Sequence, residues 1–484
     1  MVKRIKVAYL SVEAVPFVKV GGLADVSGSL PNSIVTLAKE SPDKLEIDLR
    51  IILPLHSFGN LNNMSLDKVT SFNLSVSHID EEVTAYKGIM NGVFTYFLDW
   101  SSLSDSDQVY SSMQEVEQKK FIFFSIAAIN FIKILNWKLD ILHANDWHTA
   151  LCMQLIKSTE FNDFFINTKG ILSLHNLPYM GGDCRNILTE NGIPIVEDSN
   201  IPDLLKTQPL TIGLVNADLI IPVSATYASE IQTPEFGHGL QDYLKKNQNK
   251  ITGITNGIDT NYWNPNDDLL IQTTFNAENL TKRTRNKKVL QDLFNLSNQD
   301  EIPIISMISR INYQKGIDVA LNALDLIDDI EWHLIILGTG DPELESEIRL
   351  FMTKKPGQVV FINSYDEPIA HKIYAGADIF LMPSRYEPCG LSQMIANRYG
   401  CVPVVTNVGG LKDTISNKLN GFVSKNCDIN SVKESLYDAL QIFKERNAWH
   451  QIQYNGMKKD FSWKKAAGKY LEVYDSISKT RGDL

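Results

Sequence analysis

The sequence predicts an α/β protein with two doubly wound, parallel-sheet domains, and three observations lead to this prediction. Short apolar runs alternate with segments of helical periodicity along the whole chain, which is the pattern of parallel strands joined by helices. The runs are continuous in Val, Ile and Leu, as is typical of strands covered on both faces. They fall into two series separated near residue 250, and a chain of 484 residues is long enough for two or three domains.

The two series give the expected elements in order. In the first half, strands are expected at residues 5–12, 45–55, 92–99, 140–144, 169–177 and 217–224, and the clearest helices at 23–40 and 117–135. In the second half, strands are expected at residues 303–310, 332–340, 358–364, 377–384 and 402–407. Residues 265–300 are polar with a helical pattern, and we expect them on the surface of the second domain. Ligands of open parallel sheets bind beyond the carboxyl ends of the strands, so residues that carry chemistry should directly follow these runs.

The composition excludes some classes of function. The net charge is −11 and no Lys- or Arg-rich block occurs, so we expect no nucleic-acid partner. No run of about 18 apolar residues is present, so we expect no transmembrane helix and no membrane partner. The five cysteines are scattered without CxxC spacing, which indicates free thiols in a reducing compartment, and a cytoplasmic location is expected. The basic N-terminus predicts a first strand and not a signal peptide, because Glu13 interrupts its short apolar stretch.

The stretch "KVGGLADV", residues 19–26, follows the first predicted strand and opens a helix. Gly21 and Gly22 allow close backbone approach, and a helix start offers unpaired N–H groups to an anion. Lys19 adds a mobile positive charge. The stretch therefore indicates a phosphate-binding loop, although a tight turn with an incidental lysine has the same pattern.

Polar residues follow two further strands of the first half. "HANDWHT", residues 143–149, suits a sugar, because the Trp147 ring can stack on a pyranose face and the Asp146 carboxylate can accept from hydroxyls. A metal site is not favoured, since no second group of His, Cys or acidic residues has ligand spacing. His175 and Asn176 end the next strand, where a role in capping the strand end is the plain alternative.

The second half carries the sharpest motif, "PSRYEPCGLSQM", residues 383–394. Glu387 lies at a strand–helix junction before a proline, where its carboxylate can accept from sugar hydroxyls. The N–H groups of 389–391 precede a helix and suit phosphate oxygens. Arg310 and Lys315, in "SRINYQKG", also follow a strand and suit a diphosphate, although a surface salt-bridged pair is the alternative.

In their order and spacing these motifs resemble the glycogen and starch synthase family, which are retaining glucosyltransferases of the GT-B fold. The resemblance spans nearly the whole chain and rests on residues 19–26, 143–148, 175–181, 255–265, 309–316, 338–341, 384–394 and 409–414. It implies two doubly wound, Rossmann-like domains facing a deep interdomain cleft. It further implies a starch synthase catalytic domain at 1–250, a glycosyl transferases group 1 domain at 251–457, and a C-terminal helix at 458–484 that crosses back to the first domain.

The resemblance implies a reaction and a set of site residues. Glucose would pass from ADP-glucose or UDP-glucose to the non-reducing 4-OH of an α-1,4-glucan with retention of configuration. The catalytic residues implied are His175, Glu387, Asp146, Arg310 and Lys315. The residues implied to hold the nucleotide sugar are Lys19, Gly22, Asp25, Asn256, Arg310, Lys315, Tyr365, Glu387, Cys389, Gly390 and Leu391.

Within that set the family pattern assigns particular roles. Lys19, Arg310 and Lys315 would hold the diphosphate, and Glu387 would contact the glucose hydroxyls. His175 would lie near the anomeric centre, and Tyr365 would stack on the adenine ring. Asp146 and Trp147 would lie near the glucan acceptor.

These cations would take the place that a metal ion has in other transferases, so no metal and no cofactor beyond the nucleotide sugar are expected. No carboxylate is an evident nucleophile, and by analogy with the family we expect attack on the same face that the phosphate leaves. Two alternatives stay open. One is a related GT-B enzyme with a small acceptor, and the other is a catalytically inactive glucan-binding homologue.

Overall fold

The computed structural model describes residues 3–40, 45–62, 64–104 and 108–479. The chain divides into two compact units. Unit 1 is formed by the chain up to Asn256 together with the C-terminal segment from Trp463, and unit 2 is formed by Gly257–Ser462.

Unit 1 is built on one sheet, which has eight strands within the described residues. These are β1 (Lys3–Leu10), β2 (Leu45–Pro54), β3 (Asp67–Val76), β4 (Ile79–Met90), β5 (Val93–Asp99), β6 (Ile141–Asn145), β7 (Lys169–Leu174) and β8 (Leu219–Pro222). Their order is β3-β4-β5-β2-β1-β6-β7-β8. The six neighbouring strands β5, β2, β1, β6, β7 and β8 are parallel to one another. At one edge of the sheet, β4 pairs antiparallel with β5, and β3 pairs antiparallel with β4. The chain winds away from β1 in both directions, so the topological switch point lies between β1 and β6.

Unit 2 is built on a second sheet, with six parallel strands in the part of the chain that is described. These are β9 (Ile304–Ile308), β10 (His333–Leu337), β11 (Val359–Ile362), β12 (Ile379–Met382), β13 (Val402–Thr406) and β14 (Phe422–Ser424). Their order is β11-β10-β9-β12-β13-β14, with the switch point between β9 and β12. Two parallel-sheet, Rossmann-like domains are therefore present, and the predicted α/β fold class is confirmed.

Helices connect the strands of both sheets. The α-helices are α1 (Gly22–Glu40), α2 (Ser101–Ser104), α3 (Gln114–Ile134), α4 (Asp146–Ala150), α5 (Cys152–Leu155), α6 (Asn162–Phe165), α7 (Arg185–Glu190), α8 (Pro209–Asn216), α9 (Ala225–Glu230), α10 (Gln241–Lys246), α11 (Thr284–Leu293), α12 (Ile317–Asp325), α13 (Pro342–Lys354), α14 (Glu367–Gly376), α15 (Ser392–Arg398), α16 (Gly409–Thr414), α17 (Ile429–Lys444), α18 (Arg446–Lys458) and α19 (Trp463–Lys479). Short 3₁₀ segments lie at Asp203–Leu205, Gln248–Lys250, Ala277–Arg283 and Tyr313–Lys315. Among the described helices, none is long and apolar enough to cross a membrane.

Each unit has its own apolar core. In unit 1 the core includes residues of β1 and β2, one face of α1 and the inner face of α19, where Trp463, Tyr470 and Tyr474 are buried. In unit 2 the core includes β9, β10 and β12 and the indoles of Trp332 and Trp449. The last helix of the chain thus completes the core of the first unit.

The expectation that residues 265–300 lie on the surface is wrong for the inner face of α11 and the turn before it. Arg283 and Lys287 are almost fully buried, and the Lys287 ammonium lies 2.9 Å from the Asp378 carboxylate. Asp378 in turn accepts from the N–H of Ile304 at the start of β9, at 2.9 Å. Part of the polarity of this segment therefore comes from two buried cations, Arg283 and Lys287, which pair with the Asp378 carboxylate.

Candidate active site

Most of the predicted site residues follow strands, and several lie at the two switch points. In unit 1, Lys19 comes after β1 and Asp146 directly follows β6. In unit 2, Arg310 follows β9 and Glu387 follows β12. Each unit therefore presents charged groups where an open parallel sheet binds its ligand.

The loop that carries Lys19 leads directly into the first helix of unit 1. Gly22 is the first residue of α1, and Asp25 lies in its first turn. The Lys19 ammonium lies 2.8 Å from the Asp25 carboxylate, and both side chains are about one-third exposed. Lys19, Gly22 and Asp25 are thus neighbours at the start of α1.

A residue that the sequence reasoning did not select organises this loop. Glu13 is 1% exposed, and its Oε2 accepts from the N–H groups of Val20, at 2.6 Å, and Gly21, at 2.9 Å. Two backbone N–H groups directly before the start of α1 are therefore already bonded. A signal was present in the sequence, because an acidic residue directly after an apolar strand needs buried donors.

Asp146 has an unusual backbone and a buried carboxyl group. Its φ is +53°, and its side chain is largely buried. Oδ1 accepts from the N–H groups of His175, at 2.7 Å, and Asn176, at 3.2 Å. Burial raises the pKa of Asp146 to about 7, against the effect of these two hydrogen bonds. The carboxyl group thus holds the start of the loop after β7 in place.

The ring of His175 is fixed by Asn145. The Asn145 amide group donates to the Leu10 carbonyl at 2.8 Å, so its Oδ1 faces His175 and accepts from Nε2 at 3.0 Å. Oδ1 also accepts from the Tyr9 hydroxyl at 3.2 Å. Because an amide oxygen can only accept, the neutral imidazole carries its proton on Nε2. Burial lowers the pKa of His175 to about 4, so the ring is neutral at pH 7 with an unprotonated Nδ1.

Trp147 does not have the sugar-stacking position that the sequence suggested. Its side chain is 6% exposed, and its ring packs edge-on against Phe121 and on the ring of His148. A Cβ on Gly181 would lie 2.5 Å from the indole, so backbone covers it closely. Trp147 is a core residue, because its ring is buried against Phe121, His148 and the backbone at Gly181.

Unit 2 brings Lys315 and Glu387 into contact. The Lys315 ammonium lies 2.6 Å from Glu387 Oε2, and the two side chains are 15% and 8% exposed. The Ser384 hydroxyl donates to the same oxygen at 3.0 Å. Within the described chain, Oε1 of Glu387 accepts no hydrogen bond, so one carboxylate oxygen is left for another donor. An ammonium has three donors, so Lys315 can hold this carboxylate and a further anion at once.

Arg310 and two backbone N–H groups before α15 are available to a ligand. Arg310 is exposed, and it forms no ion pair or hydrogen bond with any other described residue. Gly390 has a φ of +71°, and Leu391 is the N-cap of α15. The N–H groups of Gly390 and Leu391 donate to no acceptor in the described part of the chain. Cys389 is buried beside them, and its carbonyl would lie 2.2 Å from a Cβ on Gly410.

Two further residues were predicted for the donor site, Asn256 and Tyr365. Asn256, the last residue of unit 1 before the division, is buried, and its Oδ1 has no hydrogen-bond partner among the described residues. Tyr365 precedes α14 in unit 2 and is 71% exposed, so its ring faces are accessible. In sum, the structure brings together Lys19 with Asp25, Asp146 with His175, and Lys315 with Glu387.

Comparison with known proteins gives the class of this fold and site. A family model described as "Starch synthase catalytic domain" matches residues 6–246, and one described as "Glycosyl transferases group 1" matches residues 291–456. The chain is 36% identical to a glycogen synthase of Thermotoga petrophila over 97% of this chain and 98% of that one.

Solved structures agree. The catalytic domain of starch synthase IV from Arabidopsis thaliana, bound to ADP and acarbose, is 28% identical with a TM-score of 0.86 and covers 99% of both chains. A sucrose-phosphate synthase of Thermosynechococcus elongatus, 16% identical with a TM-score of 0.62 over 98% of this chain and 99% of that one, shares the fold.

The two Rossmann-like domains and their charged switch points are those of a GT-B glycosyltransferase. Within that class, the chain belongs to the glycogen and starch synthase family. It is a hexosyltransferase with the function of a glycogen synthase.

Proposed function

We propose that the enzyme transfers glucose from ADP-glucose to the non-reducing 4-OH of an α-1,4-glucan with retention of configuration. The observation that carries the proposal is the Lys315–Glu387 pair at the carboxyl ends of β9 and β12. It combines a cation for a diphosphate with a carboxylate oxygen for a sugar hydroxyl, which is the chemistry that a nucleotide sugar requires. The ADP and acarbose bound to the Arabidopsis starch synthase support ADP as the nucleotide and a glucan as the acceptor.

The leaving group sets the main chemical demand. When the glucosyl bond breaks, negative charge develops on the phosphate oxygens of ADP. Lys315 and Arg310 of unit 2 and Lys19 of unit 1 neutralise that charge in the proposed reaction, aided by the N–H groups of Gly390 and Leu391. Tyr365, with its exposed ring, stacks on the adenine.

The sugar and the acceptor are held by polar side chains. Oε1 of Glu387 accepts from a glucose hydroxyl, because Oε2 is already bonded to Lys315 and Ser384. His175 lies near the anomeric carbon, where a neutral ring with a free Nδ1 accepts a hydrogen bond without adding charge beside an oxocarbenium-like centre. Asp146 contributes to the acceptor side, and Asn256, whose buried amide oxygen is unpartnered, contributes to the donor side.

Retention results either from a double displacement through a covalent glycosyl–enzyme or from attack of the acceptor hydroxyl on the face that ADP leaves, and the proposed reaction takes the second route. We propose that the departing phosphate takes the proton of the acceptor 4-OH as the new bond forms. No cofactor besides the nucleotide sugar is needed in this scheme. The five cysteines are free, which fits a reducing compartment, and we propose that the enzyme works in the cytoplasm.

The test is release of nucleoside diphosphate from ADP-glucose and from UDP-glucose, each measured with glycogen, with maltose and without acceptor. Glycogen-dependent release from ADP-glucose, with elongation of the glucan chains, is the expected result. Glu387→Gln removes the negative charge that pairs with Lys315 but leaves the side-chain volume nearly unchanged, and it should fold and lose most activity. Release that responds to maltose and not to glycogen would favour a small-acceptor enzyme. Binding of glycogen without any release would favour an inactive homologue.

A further inference from the structure

We infer that Glu13 is a positioning residue for the Lys19 loop, acting through the shape of its side chain and not through its charge. The inference rests on the proposed function, because it assumes that this loop faces the diphosphate of the donor. Nothing in the reaction itself requires Glu13, since the residue is 1% exposed and its carboxylate oxygens are bonded within unit 1.

The contacts of Glu13 define the conformation of the loop. Oε2 accepts from the N–H groups of Val20, at 2.6 Å, and Gly21, at 2.9 Å. Oε1 accepts from the Tyr110 hydroxyl at 2.9 Å. A carboxylate that accepts from two consecutive N–H groups fixes both peptide planes, and these are the planes that join Lys19 to Val20 and Val20 to Gly21.

The fit of Glu13 against the loop is close. A Cβ on Gly21 would lie 3.3 Å from Oε1, so a larger residue at position 21 would press on the carboxylate. The side chain of Val20 is 53% exposed although its N–H is bonded, so the loop turns its side chains outward and its amide groups inward. Lys19 directly precedes the two residues whose N–H groups are bonded, so its side chain starts from backbone that Glu13 holds in place.

The backbone that carries Glu13 is itself rigid. The Ser11 hydroxyl donates to the Glu13 carbonyl at 3.0 Å, and the Val15 N–H donates to the Ala24 carbonyl of α1 at 3.1 Å. A Cβ on Gly28 would lie 2.4 Å from the Val15 carbonyl, so α1 packs directly on this segment. Glu13 therefore holds the Lys19 loop in a fixed position relative to this rigid segment.

The consequence for ligand binding is specific. The N–H groups of Val20 and Gly21 are bonded to Glu13, so they are not available to a phosphate. The groups of this loop that can bind a phosphate are therefore the Lys19 ammonium and the N–H groups at the start of α1. Ordering the loop before the ligand arrives removes an entropic cost of binding. Burial raises the pKa of Glu13. Its carboxylate also accepts from three donors, the N–H groups of Val20 and Gly21 and the Tyr110 hydroxyl, so the loop can face an anion although Glu13 is acidic.

Three substitutions separate shape from charge. Glu13→Gln loses the charge and keeps every contact, since its Oε1 can accept from both N–H groups and its amide group can donate to the Tyr110 oxygen. Glu13→Asp keeps the charge and loses the reach by one methylene. Glu13→Ala loses both. The matched control is Glu81, a largely buried glutamate in β4 that also accepts from two consecutive N–H groups, those of Ser101 and Ser102, and from the Ser101 hydroxyl.

The experiment measures ADP affinity by calorimetry and amide hydrogen exchange of the loop without ligand, on the full chain. We expect Glu13→Asp and Glu13→Ala to weaken ADP binding about 10-fold and to speed exchange at Val20 and Gly21, and Glu13→Gln to match the wild type in both. Glu81→Asp should leave ADP affinity and loop exchange unchanged. If Glu13→Asp binds ADP like the wild type, or if Glu13→Gln shows the same loss as Glu13→Asp, the inference is overturned.

The two proposals fail in different ways. If the wild type and Lys19→Ala both fail to bind ADP, the proposed donor is wrong, and the exchange rates of the free protein still decide whether Glu13 holds the loop. If Glu13→Ala does not fold, the comparison of Glu13→Asp with Glu13→Gln gives the answer alone.

Discussion

Arg310 is the cleanest residue on which to test charge stabilisation, because it is exposed and makes no contact with a charged partner in the described chain. Arg310→Ala should lower kcat by about 10²-fold, through loss of a positive charge beside the departing phosphate, and should leave stability unchanged. Initial rates at saturating ADP-glucose and a thermal melt measure the two quantities. Arg285, which is exposed on α11, provides the control for loss of an arginine from the same unit. A wild-type kcat in Arg310→Ala would remove Arg310 from the site.

Lys315 should behave differently, because it is already paired within the protein. Lys315→Ala removes the charge and also leaves the Glu387 carboxylate, which is 8% exposed, without its cation. We expect a loss of kcat as large as that of Arg310→Ala and, in addition, a loss of stability of about 3 kcal/mol. Urea unfolding followed by intrinsic fluorescence measures the second effect. Equal unfolding midpoints for Lys315→Ala and the wild type would mean that the pair adds nothing to the fold.

Asp146 offers a prediction with a sign in pH. Its pKa is raised from 3.8 to about 7, so the folded protein holds a proton that the unfolded chain releases. The stability that this proton binding contributes is fully present below pH 3.8 and is lost as the pH rises through about 7. Asn does not titrate, can accept from the same two N–H groups and tolerates a positive φ.

Asp146→Asn should therefore gain on the wild type as the pH rises. The difference in unfolding free energy should be larger at pH 8 than at pH 5 by on the order of 2–3 kcal/mol, and kcat should fall because the acceptor-side carboxylate is gone. Urea unfolding of both proteins at the two pH values, with rates in parallel, is the measurement. A pH-independent difference would show that this carboxyl group is not the titrating one.

For single residues, the sequence was a better guide to which side chains lie at strand ends than to which side chains contact one another. Lys315 and Glu387 were selected separately, and their distance of 2.6 Å follows only from the adjacency of β9 and β12. Glu13 was noticed only as an acid in an apolar stretch, because its partners are backbone amides, which leave no mark in side-chain patterns. Trp147 was misjudged because a ring that can stack on sugar can equally fill a core.

Among the helices and strands, α19 packs on the sheet of unit 1, and one hydrogen bond between α19 and β6 tests how much this packing stabilises the fold. The Tyr474 hydroxyl lies 2.6 Å from Nδ1 of His143 on β6, and His143 is fully buried. Tyr474→Phe would leave a buried ring nitrogen without a partner and should lower stability by about 1–3 kcal/mol. Tyr437→Phe is the matched control, because that hydroxyl bonds Asp329 at a similar 2.7 Å but at the surface. If the two variants lose the same stability in urea unfolding, the contact of α19 with β6 is not a significant one.

The strands that the sequence predicted are the buried parallel ones. Their continuous apolar runs are unmistakable, and the predicted bounds at 45–55 and 402–407 differ little from β2 and β13. The hairpin of β3 and β4 was not predicted, because its residues are half-exposed and polar. Its turn, Ser77–His78, carries no strong turn signal in the sequence, although both residues have positive φ. The sequence does carry such a signal at the next turn, between β4 and β5, because Asn91–Gly92 is a pair typical of tight hairpins, and both residues have positive φ.

For the whole molecule, net charge and local charge point in opposite directions. The chain carries −11 overall, yet its ligand is an anion. The cations of the candidate site follow strands in each unit, and a charge acts locally on a ligand that it contacts, whatever the net charge of the chain. A negative net charge is therefore compatible with a nucleotide sugar as ligand.

This charge arrangement leads to a prediction about metal ions for the complete enzyme. In unit 2, Arg310 and Lys315 carry two positive charges, and the N–H groups of Gly390 and Leu391 add two donors, which in the proposed reaction stabilise the leaving phosphate without a metal ion. Transfer from ADP-glucose to glycogen should therefore remain within about 2-fold of its initial rate after treatment with EDTA, and added Mg²⁺ should not raise it. The measurement is ADP release before and after chelation, with back-titration of Mg²⁺. In Arg310→Ala, Mg²⁺ should still give no rescue, because the protein supplies no carboxylate cluster among its described residues to hold the ion beside the phosphate. Loss of transfer in EDTA that Mg²⁺ restores would mean that the side-chain cations do not stabilise the leaving group by themselves.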